Sequence, residues 1–507
     1  MKTRPKDKDL KNILLIGFGP HAKRIYFPLI QKFSKEKRFR IVLGVDLQSK
    51  KEDIERYLKE KGASVDLLLI SPEEQTHDKI HPKIETELDN AVKERSIDGV
   101  IIATEPLVHM MYARWALNRG LSILMDKPIS TYENISTDMD RAKQLIADFE
   151  ELETSYLRAK KKRPRITFSL MSQRRFHPAF QKMKQTIKEC FEKTNCPITS
   201  IQTFHCDGQW RMPTEIVQQL YHPYMQGYGK CSHSGYHFFD IVPFLLEAGL
   251  SKEKHYDNVD LYTNFVRPLD FMEQISLKDY EKLFGKKNFQ QNNMYNQHQL
   301  DTLMKSHGEI DAFSSICFKK GSKVMTVASI NLAHNGFARR HWVTAEGKDL
   351  YKGNGRVRHE FHILEQGPFQ SIHYHSYQSK EVDPKKTLGL YNIGGEYHAD
   401  IYIFKNTQMI GGKAVEKISI KDLNGKILQG RSRGHQEDAR AKGFLEFIDA
   451  IHGERSAEEM TSDFSTHRAA AVITSGIYQS AVAQLENTNP KINLPFRLEG
   501  IGGVMNA

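Results

Sequence analysis

The sequence predicts an α/β domain with a parallel sheet, followed by an α+β domain built on a large, mainly antiparallel sheet. Two apolar runs, 12–16 and 99–104, each lead into a turn and a helix-length segment, which is the pattern of parallel strands joined by helices. Beyond residue 198, strand-length segments alternate apolar and polar residues, as strands with one buried face do. They include 259–265, 312–318, 323–333 and 341–346. We therefore expect one domain over 1–173 and a second over 174–507, with an insert around 266–310. The insert is polar and rich in Asn and Gln, and we expect it to be either flexible or helical.

A glycine-rich turn directly follows the first predicted strand. It consists of Gly17, Phe18, Gly19, Pro20, His21 and Ala22 and opens a helix that we expect to continue through residue 30. Gly17 permits the tight turn, Gly19 lets backbone amides approach a pyrophosphate, and Ala22 lets helix and strand pack closely. This G-x-G-x-x-A pattern between strand and helix predicts dinucleotide binding by these residues.

The second predicted strand, 40–45, ends in Asp46. A carboxylate there accepts hydrogen bonds from a ribose 2′-hydroxyl and repels a 2′-phosphate, which favours NAD over NADP. Lys50 and Lys51 follow closely and leave NADP open. Together with the glycine turn, Asp46 predicts a Rossmann domain, the alternative being an ordinary βα turn with a solvated aspartate.

A second turn, Met125-Asp126-Lys127-Pro128, directly follows the predicted strand 121–125. An open α/β sheet binds its ligand outside the carboxyl ends of its strands, so Lys127 is directed at the bound ligand. A lysine in this place predicts hydride-transfer chemistry. The alternative is a lysine that only neutralises cofactor phosphates.

Composition narrows the class of protein. The mean hydropathy is −0.54, and no apolar run is long enough to span a bilayer. The first eleven residues are charged and lack the apolar core of a secretory signal. The five cysteines are an odd number without paired metal spacing. We expect a cytoplasmic enzyme with reduced thiols, no metal and no membrane partner.

The formal net charge of +11 raises the question of an anionic partner. The basic residues are scattered, apart from the run 158–165, which we expect to be a solvated surface loop. No nucleic-acid-binding motif surrounds it. The sequence therefore predicts a small-molecule partner and no nucleic acid.

Several short motifs occur in an order and spacing that resemble one known family. They are the glycine turn, Asp46, ATEPLVH at 103–109, DKP at 126–128, QRRFHP at 173–178, WRMP at 210–213, GYG at 227–229 and GYHFFD at 235–240. The family is that of glucose-fructose oxidoreductase and inositol dehydrogenase (Gfo/Idh/MocA), and the resemblance covers most of the chain. It implies an NAD(P) cofactor and a homodimer or homotetramer. It also implies cofactor binding by Thr104, Pro106, His109, Asp126 and Lys127.

The chemistry of alcohol oxidation suggests the reacting residues. Histidine is the natural base near neutral pH, and His237 is placed for this role if the segment after Gly235 is helical. Lys127 would stabilise the developing alkoxide. His233 lies four residues before His237, on the same helical face, and could relay the proton. The simpler alternatives are a core histidine at 237 and a structural histidine at 233.

Two departures from the family pattern bear on this expectation. The usual Glu of the E-K-P motif is Asp126, which keeps an acceptor beside the lysine. The usual Asp four residues before the active-site histidine is His233, which alters the proton relay or reports a different substrate. Trp210 and Arg211 would bind the substrate by stacking on and hydrogen-bonding a sugar ring, or Trp210 simply packs under its loop.

These observations together predict an NAD(P)-dependent oxidoreductase. Its substrate is expected to be a sugar, cyclitol or sugar derivative with an oxidisable secondary alcohol. The main alternative is a non-catalytic dinucleotide- or sugar-binding sensor on the same fold. A third is a reductase of imines or non-sugar carbonyls.

Overall fold

The computed structural model describes residues 10–344, 354–380, 385, 388–423 and 434–498. Its strands are β1 Lys11–Ile16, β2 Phe39–Leu47, β3 Leu67–Ile70, β4 Ile97–Ile102, β5 Ser122–Met125, β6 Phe168–Leu170, β7 Ser200–Cys206, β8 Asn258–Val266, β9 Asp311–Lys320, β10 Lys323–Ala333, β11 Arg358–Gln366, β12 Gln370–Gln378, β13 Asp400–Lys405, β14 Val415–Ser419 and β15 Ile492–Pro495.

The α-helices follow in chain order. They are α1 Pro20–Arg24, α2 Tyr26–Phe33, α3 Lys51–Glu60, α4 Pro82–Glu94, α5 His109–Arg119, α6 Met139–Lys162, α7 Gln173–Phe176, α8 Pro178–Thr194, α9 Pro213–Gln218, α10 Tyr236–Leu246, α11 Pro268–Gln274, α12 Leu277–Phe284, α13 Lys286–Asn292, α14 Gln297–Met304, α15 Thr407–Ile410, α16 Ile420–Leu423, α17 His435–Ile451 and α18 Arg468–Leu485. A π-helical turn, Cys231–Gly235, precedes α10.

The first compact unit contains a six-stranded sheet in the order β3-β2-β1-β4-β5-β6, and every strand pair in it is parallel. The central strands β1 and β4 carry continuous runs of buried apolar residues. Such runs occur where helices cover both faces of a parallel sheet. The predicted Rossmann sheet is confirmed.

This unit is assembled from three stretches of chain, within 10–130, 147–176 and 436–467. The last stretch brings α17, whose Phe444 ring lies 5.6 Å from that of Phe39. Gly443 on the same helix packs against Phe176. A boundary drawn at residue 173 along the chain leaves these late residues out, because the contacts that attach them are distant in sequence.

The second unit contains a nine-stranded sheet in the order β14-β13-β12-β11-β7-β10-β9-β8-β15. β7 and β10 pair in parallel, and the other neighbours pair antiparallel. Helices α8, α10 and α18 pack on its strands. The predicted large, mainly antiparallel sheet is thus confirmed.

The insert expected around 266–310 forms the four short helices α11 to α14. Their inward side chains build small apolar clusters around Phe271, Tyr280, Phe289 and Leu300. Of the two expectations, flexible or helical, the helical one holds.

Some local expectations differ from the structure. The helix after the glycine turn is interrupted at Ile25, between α1 and α2. Residues 158–162 of the basic run continue α6 instead of forming a loop. Of the strand expected at 341–346, residues 341–344 are not a strand, and 345–346 lie outside the described residues. No helix in the described ranges is long and apolar enough to cross a membrane.

Candidate active site

The glycine turn lies between β1 and α1, at the carboxyl end of the parallel sheet. Gly17 has a φ of +96°, and a Cβ there would lie 2.6 Å from the carbonyl oxygen of Ala103. A side chain at this position would collide with the neighbouring strand end. Gly19 is different, since a Cβ there would meet no atom within 4 Å. The space beside Gly19 is therefore open, and a side chain there would occupy it.

Asp46 connects the end of β2 to the glycine turn. Its Oδ2 accepts a hydrogen bond from the Phe18 backbone N–H at 2.6 Å, and its Oδ1 accepts one from the Leu47 N–H at 2.7 Å. The carboxylate is half-buried, so it retains accessible acceptor capacity. This geometry suits a ribose hydroxyl beside the turn.

The other residues of the turn have varied surroundings. The Phe18 side chain is buried against Gly44, so only its backbone faces the turn. Ala22 is fully buried, and Pro20 occupies the first turn of α1. Burial lowers the pKa of His21 to about 4, with Asp126 opposing that effect.

The turn that carries Lys127 is fastened to the sheet by its neighbours. Tyr26 donates a hydrogen bond from its hydroxyl to Oδ1 of Asp126, and the His21 Nε2 lies 3.6 Å from Oδ2. His109 is fully buried; its Nδ1 lies 2.7 Å from the Pro128 carbonyl oxygen and its Nε2 lies 3.3 Å from that of Thr104. The Lys127–Pro128 peptide bond is cis. These contacts fix the backbone on both sides of the lysine.

These residues fit a dinucleotide. The open space at Gly19 leaves room for a pyrophosphate, Asp46 keeps acceptor capacity that would suit a ribose hydroxyl, and Lys127 follows β5 at the same end of the sheet. Thr104 and Pro106 follow β4, the strand between β1 and β5. His109 is too deeply buried for more than a positioning role.

His233 and His237 lie in the second unit, on two consecutive helical turns, the first of π type and the second of α type. His233 belongs to the π turn, and His237 is the second residue of α10, with 8% of its surface exposed. The buried Glu309 fixes the start of the π turn, because its Oε1 accepts a hydrogen bond from the Cys231 N–H at 2.8 Å. Single π turns inside helices are frequent at functional sites.

A cluster of polar side chains lies at one end of the strands of the nine-stranded sheet. Asp207 follows β7 and His334 follows β10, and because these strands are parallel their carboxyl ends coincide. Asp311 begins the antiparallel β9, and Arg356 lies just before the antiparallel β11. The topology therefore gathers these four residues from distant parts of the chain.

Asp207 is the centre of this cluster. Its carboxylate bonds the fully buried Lys230 ammonium at 2.6 Å and the Arg356 guanidinium. Although burial raises the pKa of Asp207, these two cations hold it well below its usual range. Burial also lowers the pKa of His334, whose Nδ1 bonds the Tyr224 hydroxyl, well below its ordinary value.

Trp210 and Arg211 follow this strand end. The Trp210 indole N–H donates to the Tyr280 hydroxyl at 3.1 Å, and its ring packs 5.4 Å from that of Phe284 in the insert. The Arg211 guanidinium lies 5.7 Å from the centre of the Tyr224 ring. The insert thus supports the tryptophan, and the arginine lies beside the polar cluster.

Aromatic and imidazole rings surround His233. The ring centres of His222, Tyr228 and Tyr224 lie 4.7, 5.3 and 5.7 Å from its own. His334 lies at 6.3 Å. The structure therefore brings His233 together with the Arg211 region, through Tyr224 and His334.

Sequence reasoning did not identify Tyr26, Asp207, Lys230, His334 and Arg356. An available signal existed for Asp207, since a carboxylate directly after a predicted strand marks a strand end. The others become significant only through contacts between distant segments. No group of three or more histidine, cysteine or acidic residues in the described part of the chain is arranged to hold a metal ion.

The fold and the glycine turn define the first unit as a dinucleotide-binding domain of Rossmann type. Residues 11–156 match the model of the GFO_IDH_MocA oxidoreductase family with its NAD-binding Rossmann fold. The resemblance drawn from the motifs is thereby confirmed over this segment, which is similar to the NAD-binding domain of that family.

Solved structures similar to the whole chain are oxidoreductases. An oxidoreductase from Agrobacterium radiobacter in complex with NAD+, L-tartaric acid and magnesium has a TM-score of 0.54 at 12% identity, covering 96% of this chain and 98% of its own. The WlbA dehydrogenase from Chromobacterium violaceum, in complex with NADH and UDP-GlcNAcA, has a TM-score of 0.53 at 11% identity, covering 97% of each chain. Levoglucosan dehydrogenase, in complex with NADH and levoglucosan, has a TM-score of 0.54 at 13% identity, covering 96% and 99%.

At such low identity these likenesses establish the fold of the chain and not its substrate. No curated protein matches the chain significantly.

Proposed function

We propose that the protein is an NAD(P)-dependent oxidoreductase that transfers hydride between nicotinamide and a secondary alcohol or carbonyl group of a sugar, cyclitol or sugar derivative. The observation that carries the proposal is the position of Lys127. It follows β5 directly, and the glycine turn follows β1, so both turns lie at the carboxyl end of one parallel sheet. Ligands of such sheets bind at that end.

The cofactor we propose is NAD, with NADP as the alternative. Asp46 favours NAD because its carboxylate would repel a 2′-phosphate. The NAD-binding family match over residues 11–156 supports this choice. We propose that the Gly17 to Ala22 turn holds the pyrophosphate and that Thr104, Pro106 and Asp126 line the approach of the cofactor.

When bound, the nicotinamide supplies the acceptor or donor of hydride. In the direction of oxidation, His237 removes the proton of the substrate hydroxyl as a general base. Lys127 is the proposed cation that stabilises the negative charge developing on the reacting oxygen. His233 passes the proton onward, in place of the family's usual aspartate.

The substrate class rests on the likeness to dehydrogenases crystallised with sugar-like ligands, including levoglucosan and UDP-GlcNAcA. Trp210 and Arg211 are the proposed substrate-binding residues. The purified protein, mixed with NAD+ or NADP+ and a panel of sugars, cyclitols and their acids and phosphates, should raise the absorbance of reduced nicotinamide with at least one member. A protein that binds NADH calorimetrically but stays silent across the panel in both directions would contradict turnover.

A non-catalytic sensor is the second candidate, and His233 is the observation that favours it. His233 occupies the position where the family often has an aspartate, so a carboxylate that could accept a proton beside His237 is absent. A sensor would bind dinucleotide and sugar without turnover, and a Lys127→Ala variant would change only ligand affinity.

A further inference from the structure

Arg211 carries a positive charge that no carboxylate among the described residues balances. Its Nε and Nη2 both donate to Oε1 of Gln209, at 3.0 and 2.5 Å, and that acceptor is a neutral amide. Its Nη1 is buried and has no hydrogen-bond partner within the described ranges. A buried N–H without an acceptor is costly, and a charged one more so. This geometry leaves one buried donor of Arg211 open to an acceptor from outside the chain, either a water molecule or a ligand.

The charged side chains near Arg211 also include more positive groups than negative ones. Asp207 is matched by two cations, Lys230 at 2.6 Å and Arg356. Asp311 accepts a hydrogen bond from the His334 backbone N–H at 2.6 Å and is the second carboxylate of the cluster. Three cationic side chains therefore face two carboxylates. Arg211 is half-buried and has no carboxylate partner among the described residues, so the cluster can accommodate one further negative charge.

The surroundings of Arg211 suit a ligand better than a further side chain. Tyr224 lies between Arg211 and His233, with its ring near both. His222 packs on His233 with ring centres 4.7 Å apart and has a φ of +59°, which is uncommon for a residue other than glycine. Non-glycine residues in this conformation cluster at ligand-binding sites, where the surrounding structure maintains them.

We propose that Arg211 binds an anionic group of the substrate, a carboxylate or a phosphate, and that this contact selects acidic sugar derivatives over neutral ones. The planar guanidinium presents a fork of N–H donors that matches either group. The anion supplies an acceptor for Nη1 and the negative charge that the cluster can accommodate. The identity of this anion as part of a hydride-transfer substrate rests on the proposed function, whereas the binding of the anion does not.

The test compares the wild type with Arg211→Gln and Arg211→Lys. Glucuronate, glucose 6-phosphate and glucose serve as probes, in calorimetric titrations in the presence of NADH and in turnover assays. We expect the wild type to bind at least one acidic probe more tightly than glucose. Arg211→Gln should weaken that binding by about tenfold to a hundredfold, the usual effect of losing a charged hydrogen bond. Arg211→Lys should fall between, because the charge remains and the fork is lost.

Two controls separate this contact from other effects. Lys184→Gln removes a positive charge that pairs with Glu247 at 2.7 Å in the same unit, and it should leave acidic probes unaffected. Binding of NADH and the thermal melting temperature should be unchanged in Arg211→Gln, which excludes misfolding and a cofactor contact.

The outcomes are distinguishable. Preference for glucuronate identifies a carboxylate subsite, and preference for the phosphate ester identifies a phosphate subsite. Equal binding of acidic and neutral probes, with no change in Arg211→Gln, would overturn the inference even if sugars are oxidised. Arg211-dependent binding of an acidic probe without any turnover would leave the subsite standing and remove the enzyme function.

Discussion

Gly17 and Gly19 lie two residues apart in one turn but serve different purposes, and this difference yields the first prediction. A Cβ at Gly19 meets nothing in the protein, so Gly19→Val should leave the fold intact and occupy the space of the pyrophosphate. Calorimetry should show NADH binding weakened beyond detection, while the melting temperature stays near that of the wild type.

The matched variant is Gly17→Ala. Here the new Cβ would lie 2.6 Å from the Ala103 carbonyl oxygen, and the φ of +96° disfavours any side chain. We therefore expect Gly17→Ala to lower the melting temperature, whether or not it also weakens NADH binding. Normal NADH affinity in Gly19→Val would show that the dinucleotide does not pass over this turn.

The catalytic residues yield the second prediction. Lys127→Ala and His237→Ala should each reduce turnover by about 10²–10⁴-fold, the usual contribution of a positioned acid–base group. NADH affinity and folding should remain close to the wild type. Initial rates on the best panel substrate, with calorimetry for the cofactor, provide the measurement.

His233 discriminates between a relay and a structural role. His233→Ala should reduce turnover less than His237→Ala if His233 relays the proton, and should leave it unchanged if His233 only packs among its rings. His233→Asp restores the family's usual residue, and its rate shows whether the departure tunes the chemistry. Full activity in His237→Ala would exclude His237 as the base.

A single site residue could be predicted from the sequence when the residues that define its role lie next to it in the chain. Gly17, Asp46 and Lys127 were predicted because each lies beside a strand end within a short motif. Tyr26 bonds Asp126 across a separation of 100 residues, and Arg356 bonds Asp207 across 149. No local pattern encodes such a pair, so these supporting residues emerged only from the fold.

The helical insert shows what an element adds to the site and gives the third prediction. Tyr280 is fully buried, stacks on Phe289 with ring centres 5.3 Å apart, and accepts a hydrogen bond from Trp210. Tyr280→Ala should lower the free energy of unfolding by about 3–5 kcal/mol, as aromatic deletions in cores do. Denaturant unfolding followed by tryptophan fluorescence measures the change.

Tyr280→Phe is the control for the hydroxyl alone. It keeps the stacked ring and removes the partner of the Trp210 indole N–H, so the loss should be about 1–3 kcal/mol. An unchanged stability in Tyr280→Ala would mean that the insert does not fold against Trp210.

The insert also shows which secondary structure could not be predicted from the sequence. Its Asn- and Gln-rich composition left flexible and helical structure equally open. Ser276 with Asp279 and Asn296 with Gln299 form capping boxes that begin α12 and α14, and both pairs are visible in the sequence. The π turn before α10 had no such signal, because the extra residue in a π turn does not change the pattern of residue types.

Buried histidines make the stability of the whole molecule depend on pH, which is the fourth prediction. Burial lowers the pKa of His307 to about 4 from an ordinary value near 6.5. Unfolding therefore takes up a proton between these values, and stability present above pH 6.5 is lost as the pH falls toward 4. The expected slope is about 1.4 kcal/mol per pH unit from this histidine.

His307→Gln removes that proton uptake and should flatten the fall of the unfolding free energy between pH 6.5 and 4.5. His334 acts in the same direction and stays in the variant. Asp311 acts in the opposite direction, because burial raises its pKa to about 6, so its contribution is present below its ordinary pKa and lost as the pH rises. An identical pH dependence in wild type and His307→Gln would contradict a neutral His307 in the folded protein.

Assembly is the fifth prediction and belongs to the molecule as a whole. One side of the strands in the nine-stranded sheet packs against α8, α10 and α18, and residues pointing to the other side remain partly exposed. Among the latter are Val327, 50% exposed, and the stacked pair of Phe204 and Phe361. This face carries exposed apolar side chains among polar ones, such apolar surface is often covered in solution, and the family resemblance implies a second copy of the chain. We expect a homodimer or homotetramer with this face at the interface.

Val327→Asp should shift sedimentation at micromolar concentration toward the monomer, because a carboxylate in an apolar interface would lose its hydration without gaining a partner. Leu485→Asp is the matched control, since Leu485 is equally exposed, at 50%, but lies at the end of α18. A charge at Leu485 should leave the assembly intact. A monomeric wild type would contradict the oligomeric state that the motifs imply. Assembly disrupted equally by both variants would contradict the assignment of the interface to this face. Dissociation by Val327→Asp alone would assign the interface to the open face of the sheet.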